Sequence, residues 1–341
     1  MTLIRISNNK TLKGHKAIIF STVELPEAQI DAIQKQFPDL TIKIFIQPWG
    51  APLDPSFKEE EWQDTTVLLT ATLLPKPEQA THLQYVQLTS AGANHLIKDP
   101  LFTDTKVPFS TANGVHGPQI AEWIITTYLS HRLHLKEYSK LQDEGKWKRL
   151  HQGAEDTEDT AGKRIGILGY GSIGRQTARL SKALGLDVHA YTLHPRNTPE
   201  SRRDDSYTPP GLGDPEGEFP SKWFSGGSKE EIHEFLDSGL DILVISVPLT
   251  DKTKGLISKP EFEILGKKGT FLINIGRLSR VRRLMSLILS LCRISIHCGV
   301  RRIAASSFYY TRLLDIFRLN LERLSQGRTD FINKVNRKEG Y

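Results

Sequence analysis

The sequence predicts an α/β protein with two doubly wound parallel-sheet domains, and three observations carry that expectation. Short apolar runs alternate with polar stretches of helical spacing, the pattern of parallel βαβ units. A glycine-rich turn, Gly169-x-Gly171-x-x-Gly174, follows one such run and opens a helix-like stretch. At 341 residues the chain exceeds one ordinary core and suits two domains.

The first domain begins with Lys16 to Thr22 (KAIIFST) and Thr41 to Phe45 (TIKIF), read as short buried strands with a helix from Pro26 to Gln36 between them. Thr66 to Leu69 and Tyr85 to Leu88 repeat the pattern. Gly114 to His134 reads as a long helix, with Ile120, Trp123, Ile124, Thr127 and Tyr128 on one face. A second α/β region starts near Thr160. Lys163 to Leu168 is a strand, Ser172 to Gly185 a helix and Asp187 to Thr192 a strand. Asn197 to Gly227 is rich in Pro, Gly and Asp and is expected to be a surface loop. Ser228-x-x-Glu231 reads as a capping box that opens a helix to Leu236. Leu240 to Val247 and Thr270 to Ile275 are further buried strands. Leu314 to Gly327 is an amphipathic helix ended by glycine.

The bulk composition excludes several classes. With 38% hydrophobic and 25% charged residues, the chain is globular and not disordered. No apolar run approaches the roughly 18 residues of a membrane span, and Met1 to Lys16 has no continuous apolar segment, so neither a membrane partner nor a secretory signal is expected. Two cysteines cannot form a disulfide framework, which suits a reducing compartment, and the expected location is cytoplasmic. The net charge is +6, and six arginines between Leu278 and Ala304 equal all of it. The rest of the chain is balanced, so no nucleic-acid partner is expected. No metal site is read.

Gly169, Tyr170, Gly171, Ser172, Ile173 and Gly174 form a dinucleotide-binding turn of Rossmann type. Its first glycine permits the tight turn, its second lets backbone approach a pyrophosphate and its third allows close helix–strand packing. N–H groups at the helix start, near Ser172 and Ile173, suit phosphates. The next strand ends at Thr192, where an NAD site usually carries an acid, and is followed by His194 and Arg196. A carboxylate would repel a 2′-phosphate, whereas arginine binds phosphate in a bidentate fork. NADP(H) is therefore favoured over NAD(H). Val247, Pro248 and Thr253 follow a later strand and are expected on the nicotinamide side. Arg277 follows the next and offers a planar fork for a carboxylate beside a carbonyl.

These pieces together resemble the D-isomer-specific 2-hydroxyacid dehydrogenase family, in its glyoxylate/hydroxypyruvate reductase-like branch. The matching segments are Leu88-Thr89-Ser90-Ala91-Gly92-Ala93, Asn113-Gly114-Val115-His116 with Ala121-Glu122, and the glycine turn. Pro248-Leu249-Thr250 with Thr253-Lys254-Gly255, and Asn274-Ile275-Gly276-Arg277, complete the set. The match runs from about Ala17 to Arg277 and resumes near Tyr310. It implies a Rossmann domain, residues 113–277, inserted into a flavodoxin-like substrate domain made of residues 1–112 and 305–341. It also implies that Ser90, Ala91 and Gly92 offer N–H groups to the substrate carboxylate, and that Arg277 binds carboxylate and carbonyl. A small 2-oxo or 2-hydroxy acid is the implied substrate and a homodimer the implied assembly. His116 is expected to be structural.

The pattern breaks after Arg277. The family's next glycine is Leu278 here, and no acid lies between Leu278 and Leu314. The glutamate and the Pro-His segment that supply the family's acid/base machinery therefore have no counterpart, and His297 lacks its motif. Residues 278–304 are read as an aberrant basic segment, from a shifted reading frame or a mis-spliced boundary, with a genuine cationic insertion as the competing account. The expected function is an oxidoreductase acting on the CH–OH group of small 2-hydroxy acids, impaired as written. The alternative is a non-catalytic NAD(P)-binding protein.

Overall fold

The structure is a computed structural model that describes residues 9–48, 52–147, 158–248, 250, 253–276 and 308–337. Leu249, Arg277, His297 and the whole basic segment 278–304 lie outside the described residues. The chain divides into two compact units, residues 1–115 with 307–341 and residues 116–306.

The first unit holds a parallel sheet of β1 (Lys16–Ser21), β2 (Thr41–Ile46), β3 (Val67–Thr70), β4 (Tyr85–Leu88) and β5 (Phe109–Ser110). The strand order is β2-β1-β3-β4-β5, and every pair is parallel. Helices α1 (Glu27–Gln36) and α2 (Pro100–Thr103) lie between strands. All six residues of β1 are buried, as its central place requires. β2 corrects the expectation of a second buried strand. It is the sheet edge, and of its six residues only Phe45 is buried. Phe45 reaches inward to join Phe20, Phe57 and Trp62, with ring centroids 5.0–5.9 Å apart.

The chain returns to this unit through a C-terminal helix, Tyr309–Ser325, which begins five residues earlier than the amphipathic pattern suggested. Asn320, fully buried on it, donates to the Tyr85 hydroxyl at 2.7 Å and accepts from the Ile332 N–H at 2.7 Å. The tail then lies antiparallel to β5 through the Ser110–Lys334 bridge.

The second unit holds β6 (Arg164–Leu168), β7 (Asp187–Thr192), β8 (Lys222–Ser225), β9 (Ile242–Ile245) and β10 (Phe271–Asn274), parallel throughout and ordered β10-β9-β6-β7-β8. Its helices are α3 (Gly117–Arg132), α4 (Leu135–Asp143), α5 (Ser172–Ala183), α6 (Pro199–Arg202), α7 (Lys229–Leu236) and α8 (Lys259–Gly266). The strands' period of two sorts their side chains onto two faces. Ile165, Ile167, Val244 and Ile273 pack with Ile120, Ile124 and Tyr128 of α3. Leu168, Leu243, Ile245 and Leu272 pack with Ile232 and Phe235 of α7 and Phe262 of α8. Because both faces are covered, β6, β9 and β10 read as near-continuous apolar runs, whereas β7 and the edge strand β8 mix polar residues in.

Residues 197–227 are not a plain surface loop. They contain α6 and the edge strand β8, which pairs with β7 from His189–Lys222 to Thr192–Ser225. Their Pro, Gly and Asp content conceals a polar network docked on the glycine turn and α5. Asp214, 4% exposed, accepts from the Tyr170 hydroxyl at 2.7 Å and from the N–H groups of Glu218 and Phe219. Arg175, equally buried, pairs with Asp204 at 3.1 Å and donates to the Arg202 carbonyl at 2.6 Å. Gln176 accepts from the Gly213 N–H at 2.6 Å. A buried guanidinium is tolerated only when paired and hydrogen-bonded in this way. No helix among the described residues is long and apolar enough to cross a membrane.

Candidate functional site

The strand order of the second unit sets its switch point between the central strands β6 and β9, where the loops leave in opposite directions and open a crevice at the carboxyl edge. The glycine turn is the exit of β6. Gly169 has φ +100°, a left-handed conformation, and a Cβ there would meet the Ser246 carbonyl carbon at 2.9 Å. At Gly174 a Cβ would meet the Gly169 carbonyl oxygen at 2.5 Å and Ile167 Cγ2 at 3.0 Å, so its bareness is what lets α5 leave so close to β6. Gly171 differs, because nothing lies within 4 Å of a Cβ built there. The open space above Gly171, at an α5 N-terminus with no side-chain cap, suits a pyrophosphate. Ser172 and Ile173 form the first turn of α5.

Tyr170 points away from that space, to Asp214. Burial and the neighbouring Asp214 charge push its phenol well above the ordinary tyrosine range, so it stays a neutral donor. The turn is therefore fixed from behind by the network of the 204–219 segment.

β7 ends at Thr192, whose hydroxyl donates to the His194 carbonyl at 2.7 Å and shapes the following turn. His194 is exposed. Arg196 is half-buried, its Nη1 donating to the Ser201 carbonyl while its own carbonyl accepts from Arg202 Nε at 3.0 Å. The guanidinium is thus held along α6, beside the exit of β7.

The exit of β9 closes over the glycine turn. The Ser246 N–H donates to the Leu168 carbonyl at 2.8 Å, and its hydroxyl donates to the Gly169 carbonyl at 2.6 Å. Val247 lies on the turn, its Cγ1 3.0 Å from a Cβ built on Gly169, and its carbonyl oxygen lies 3.3 Å from a Cβ built on Gly276. Pro248 is exposed, and its carbonyl accepts from the Thr253 hydroxyl at 2.6 Å. Thr253 Oγ1 also accepts from the Thr250 N–H at 2.8 Å, so this side chain closes its own loop. The exit of β10 is held by the Asn274 amide oxygen, which accepts from the Gly276 N–H at 2.8 Å. The structure thus gathers the glycine turn, Val247 and Gly276 at one place, with the start of Arg277 next in sequence.

Glu261, which sequence reasoning missed, anchors the far end of the Val247 loop. It is 1% exposed and accepts from the Ser258 N–H and hydroxyl, both at 2.7 Å, from His233 at 2.8 Å and from Lys229 at 3.0 Å. Lys229 also donates to the Leu256 carbonyl at 2.8 Å. Burial alone would raise the Glu261 carboxyl, but the bonds from His233, Ser258 and Lys229 outweigh it and bring it to about 2. The signal was available as Ser258-x-x-Glu261, a second capping box.

In the first unit, Ser90, Ala91 and Gly92 follow β4. The Ser90 hydroxyl donates to the Gly92 carbonyl at 2.8 Å, and its carbonyl accepts from the Ala112 N–H at 2.8 Å. Tyr309, also missed, donates its hydroxyl to the Thr89 carbonyl. A groove lies at the exits of β1 and β3, lined by Phe20, Ser21, Thr22, Gln47, Thr70 and Leu73. His116 occupies the N-cap position of α3. Among the described residues no group of three or more His, Cys, Asp or Glu is placed to hold a metal ion.

Residues 125–209 and 221–283 match the model of the D-isomer specific 2-hydroxyacid dehydrogenase NAD binding domain. The second unit thus carries the NAD binding domain of the D-isomer specific 2-hydroxyacid dehydrogenase family. The glyoxylate reductase of Thermococcus kodakarensis is 23% identical over 265 residues, which cover 76% of this chain and 71% of that protein. D-3-phosphoglycerate dehydrogenase 1 of Saccharomyces cerevisiae is 28% identical over 170 residues, covering 50% of this chain and 29% of that one. The chain spans only 28–62% of the length of several curated relatives it matches. Among solved structures, a D-isomer specific 2-hydroxyacid dehydrogenase from Xanthobacter autotrophicus in complex with NADPH and MES superposes with a TM-score of 0.68. That match has 18% identity and covers 96% of this chain and 99% of that chain. At that identity the likeness concerns the fold, and it agrees with the two five-stranded parallel sheets described above. The family's nucleotide-binding module thus coincides with the unit that carries the glycine turn.

Proposed function

We propose that this 2-hydroxyacid dehydrogenase homologue is built to transfer hydride between a nicotinamide dinucleotide and a small D-2-hydroxy acid or its 2-oxo acid, glyoxylate or hydroxypyruvate being the expected substrates. The observation that carries the reading is the bare, uncapped backbone at Gly171, at the switch point of a parallel sheet. A nicotinamide bound there would supply the hydride for the substrate's C2 in the reducing direction, with a proton completing the hydroxyl. Ser90 to Gly92 and Arg277 are the groups assigned to the substrate carboxylate, with Arg277 also polarising the carbonyl. Val247, Pro248 and Thr253 are assigned to the nicotinamide side, and Gly169 to Gly174 to the pyrophosphate. The chain is read as a cytoplasmic homodimer.

NADP(H) is favoured over NAD(H). Thr192 stands where an acid would repel a 2′-phosphate, and Arg196 is held on the same turn. Fluorescence titration with NADPH and NADH tests this, and equal affinities would remove the preference.

A second reading is supported by the sequence after Arg277, which offers no acid before Leu314 and a single histidine, His297, outside the Pro-His motif of the acid/base group. Without the group that moves the hydroxyl proton, turnover falls by about 10²–10⁴-fold. The chain as written is therefore proposed to bind nucleotide while turning over little. NADPH oxidation with glyoxylate and hydroxypyruvate decides between the two readings. Rates of an ordinary reductase sink the impaired reading, whereas binding of neither nucleotide sinks both.

A further inference from the structure

The chain re-enters the first unit at the C-terminal helix, and the first turn of that helix spreads across the carboxyl edge of the sheet. Tyr309 donates to the Thr89 carbonyl at the exit of β4. The Tyr310 hydroxyl lies 2.8 Å from Thr22 Oγ1 at the exit of β1. Arg312 Nη1 donates to the Val115 carbonyl at 2.9 Å, beyond the exit of β5. In open α/β sheets this edge is where ligands are met. A helix that served only to cover the core would need none of these contacts, since Leu313, Leu314, Ile316, Phe317 and Leu321 already bury its apolar face.

The Tyr309 bond has a directional consequence. Thr89 and Ser90 share a planar trans peptide, in which the Thr89 C=O and the Ser90 N–H point opposite ways. Fixing the carbonyl towards Tyr309 therefore fixes the Ser90 N–H away from it. The Ser90 carbonyl is held by Ala112, and the Ser90 hydroxyl is held on Gly92. The loop is thus set on three sides before any ligand arrives. Burial raises the Tyr309 phenol far above neutrality, so the donor persists throughout the physiological range.

We infer that Tyr309 is a positioning residue for the anion-accepting loop Ser90–Gly92, so that the returning helix forms part of the 2-oxo acid site as well as the core. The inference rests on the reading of that loop as a carboxylate cradle. Donors preorganised at a ligand oxygen need no reordering when it binds, and that saving is what the hydroxyl supplies.

The test uses the full chain saturated with NADPH, and oxamate, an unreactive 2-oxo acid analogue, as the probe. Tyr309→Phe removes the hydroxyl and keeps the ring. It is expected to weaken oxamate binding about tenfold while NADPH affinity stays within about twofold, one hydrogen bond's worth. The Ser90 amide resonance is expected to shift even without oxamate. Arg318→Ala cuts the same helix's bond to Gln36, at 3.0 Å, without touching the loop, and is expected to leave oxamate binding intact. Unchanged oxamate affinity in Tyr309→Phe, or an equal loss in Arg318→Ala, overturns the positioning role alone. A wild-type chain that binds NADPH but no oxamate overturns the cradle reading, and the inference with it.

Discussion

Gly169, Gly171 and Gly174 lie within one turn but are required for different reasons, and substitutions separate them. A methyl at Gly174 meets backbone at 2.5 Å, so Gly174→Ala is expected to lower stability by about 1–3 kcal/mol, read as a lower urea midpoint. Gly171→Ala meets no protein atom and is expected to leave the midpoint unchanged while weakening NADPH binding at least about tenfold. Loss of stability in Gly171→Ala would show that the space is not kept for a ligand. Arg196 makes the third residue-scale prediction. Arg196→Gln is expected to reduce NADPH affinity about tenfold and to spare NADH, because only the 2′-phosphate uses the fork. A parallel loss for both nucleotides would mean that the guanidinium serves only to hold α6 through Ser201.

At the scale of elements, two polar clusters control how the second unit responds to acid. His189 on β7 is buried beside Ser238, Asp187, Arg164 and Lys222. Burial lowers its pKa, Arg164 lowers it further and Asp187 opposes them, with a result of about 4 against an ordinary 6.5. The neutral form is therefore the folded form. Its stabilisation is fully present above pH 6.5 and is lost as pH falls from 6.5 to 4, at no more than about 1.4 kcal/mol per pH unit. His189→Asn is expected to flatten the urea midpoint between pH 6.5 and 4, and a profile as steep as wild type would contradict the assignment. Glu261 acts lower. Its folded pKa of about 2 lies below the ordinary 4.5, so its contribution is present above 4.5 and disappears as pH falls towards 2. Because Lys229 and His233 are partly exposed, Glu261→Gln is expected to cost about 1–2 kcal/mol and to loosen the Val247 loop.

Across the whole molecule, each sheet has its own switch point. The β2-β1-β3-β4-β5 order puts one beside the groove, and the β10-β9-β6-β7-β8 order puts one at the glycine turn. The function proposed above assigns the substrate carboxylate to the Ser90–Gly92 loop and the nucleotide to the glycine turn, and after Arg277 the sequence offers no acid before Leu314 and one histidine, His297, without its motif. The chain as written is accordingly expected to retain nucleotide binding and to oxidise NADPH with glyoxylate slowly or not at all. Sequencing the transcript across codons 270 to 310 tests the cause. A glycine after Arg277 followed by glutamate and Pro-His motifs would mark the present stretch as a faulty reading frame. A transcript that encodes the stretch unchanged would assign the impairment to the protein itself.

The sequence by itself determined the alternation of strands and helices, the glycine turn and the resemblance of the nucleotide-binding unit to its family, because these are carried by local periodicity and short motifs. Leu240 to Val247 and Thr270 to Ile275 were legible as strands since burial on both faces leaves a near-continuous apolar run. The edge position of β2 was not legible, because a lone strand carries no mark of how many neighbours it will have. Nor was β8, whose four residues lie within a Pro-Gly-Asp stretch and gain their meaning only by pairing with β7. The roles of Arg175 and Asp214 were hidden for the same reason, since 39 residues separate them and only the folded chain brings one beside the other. Tyr309 lies 220 residues from Thr89. Contacts of that range carry no spacing signal along the chain. The tertiary structure alone decided them, because it is packing, not local preference, that chooses which distant groups must share a hydrogen bond.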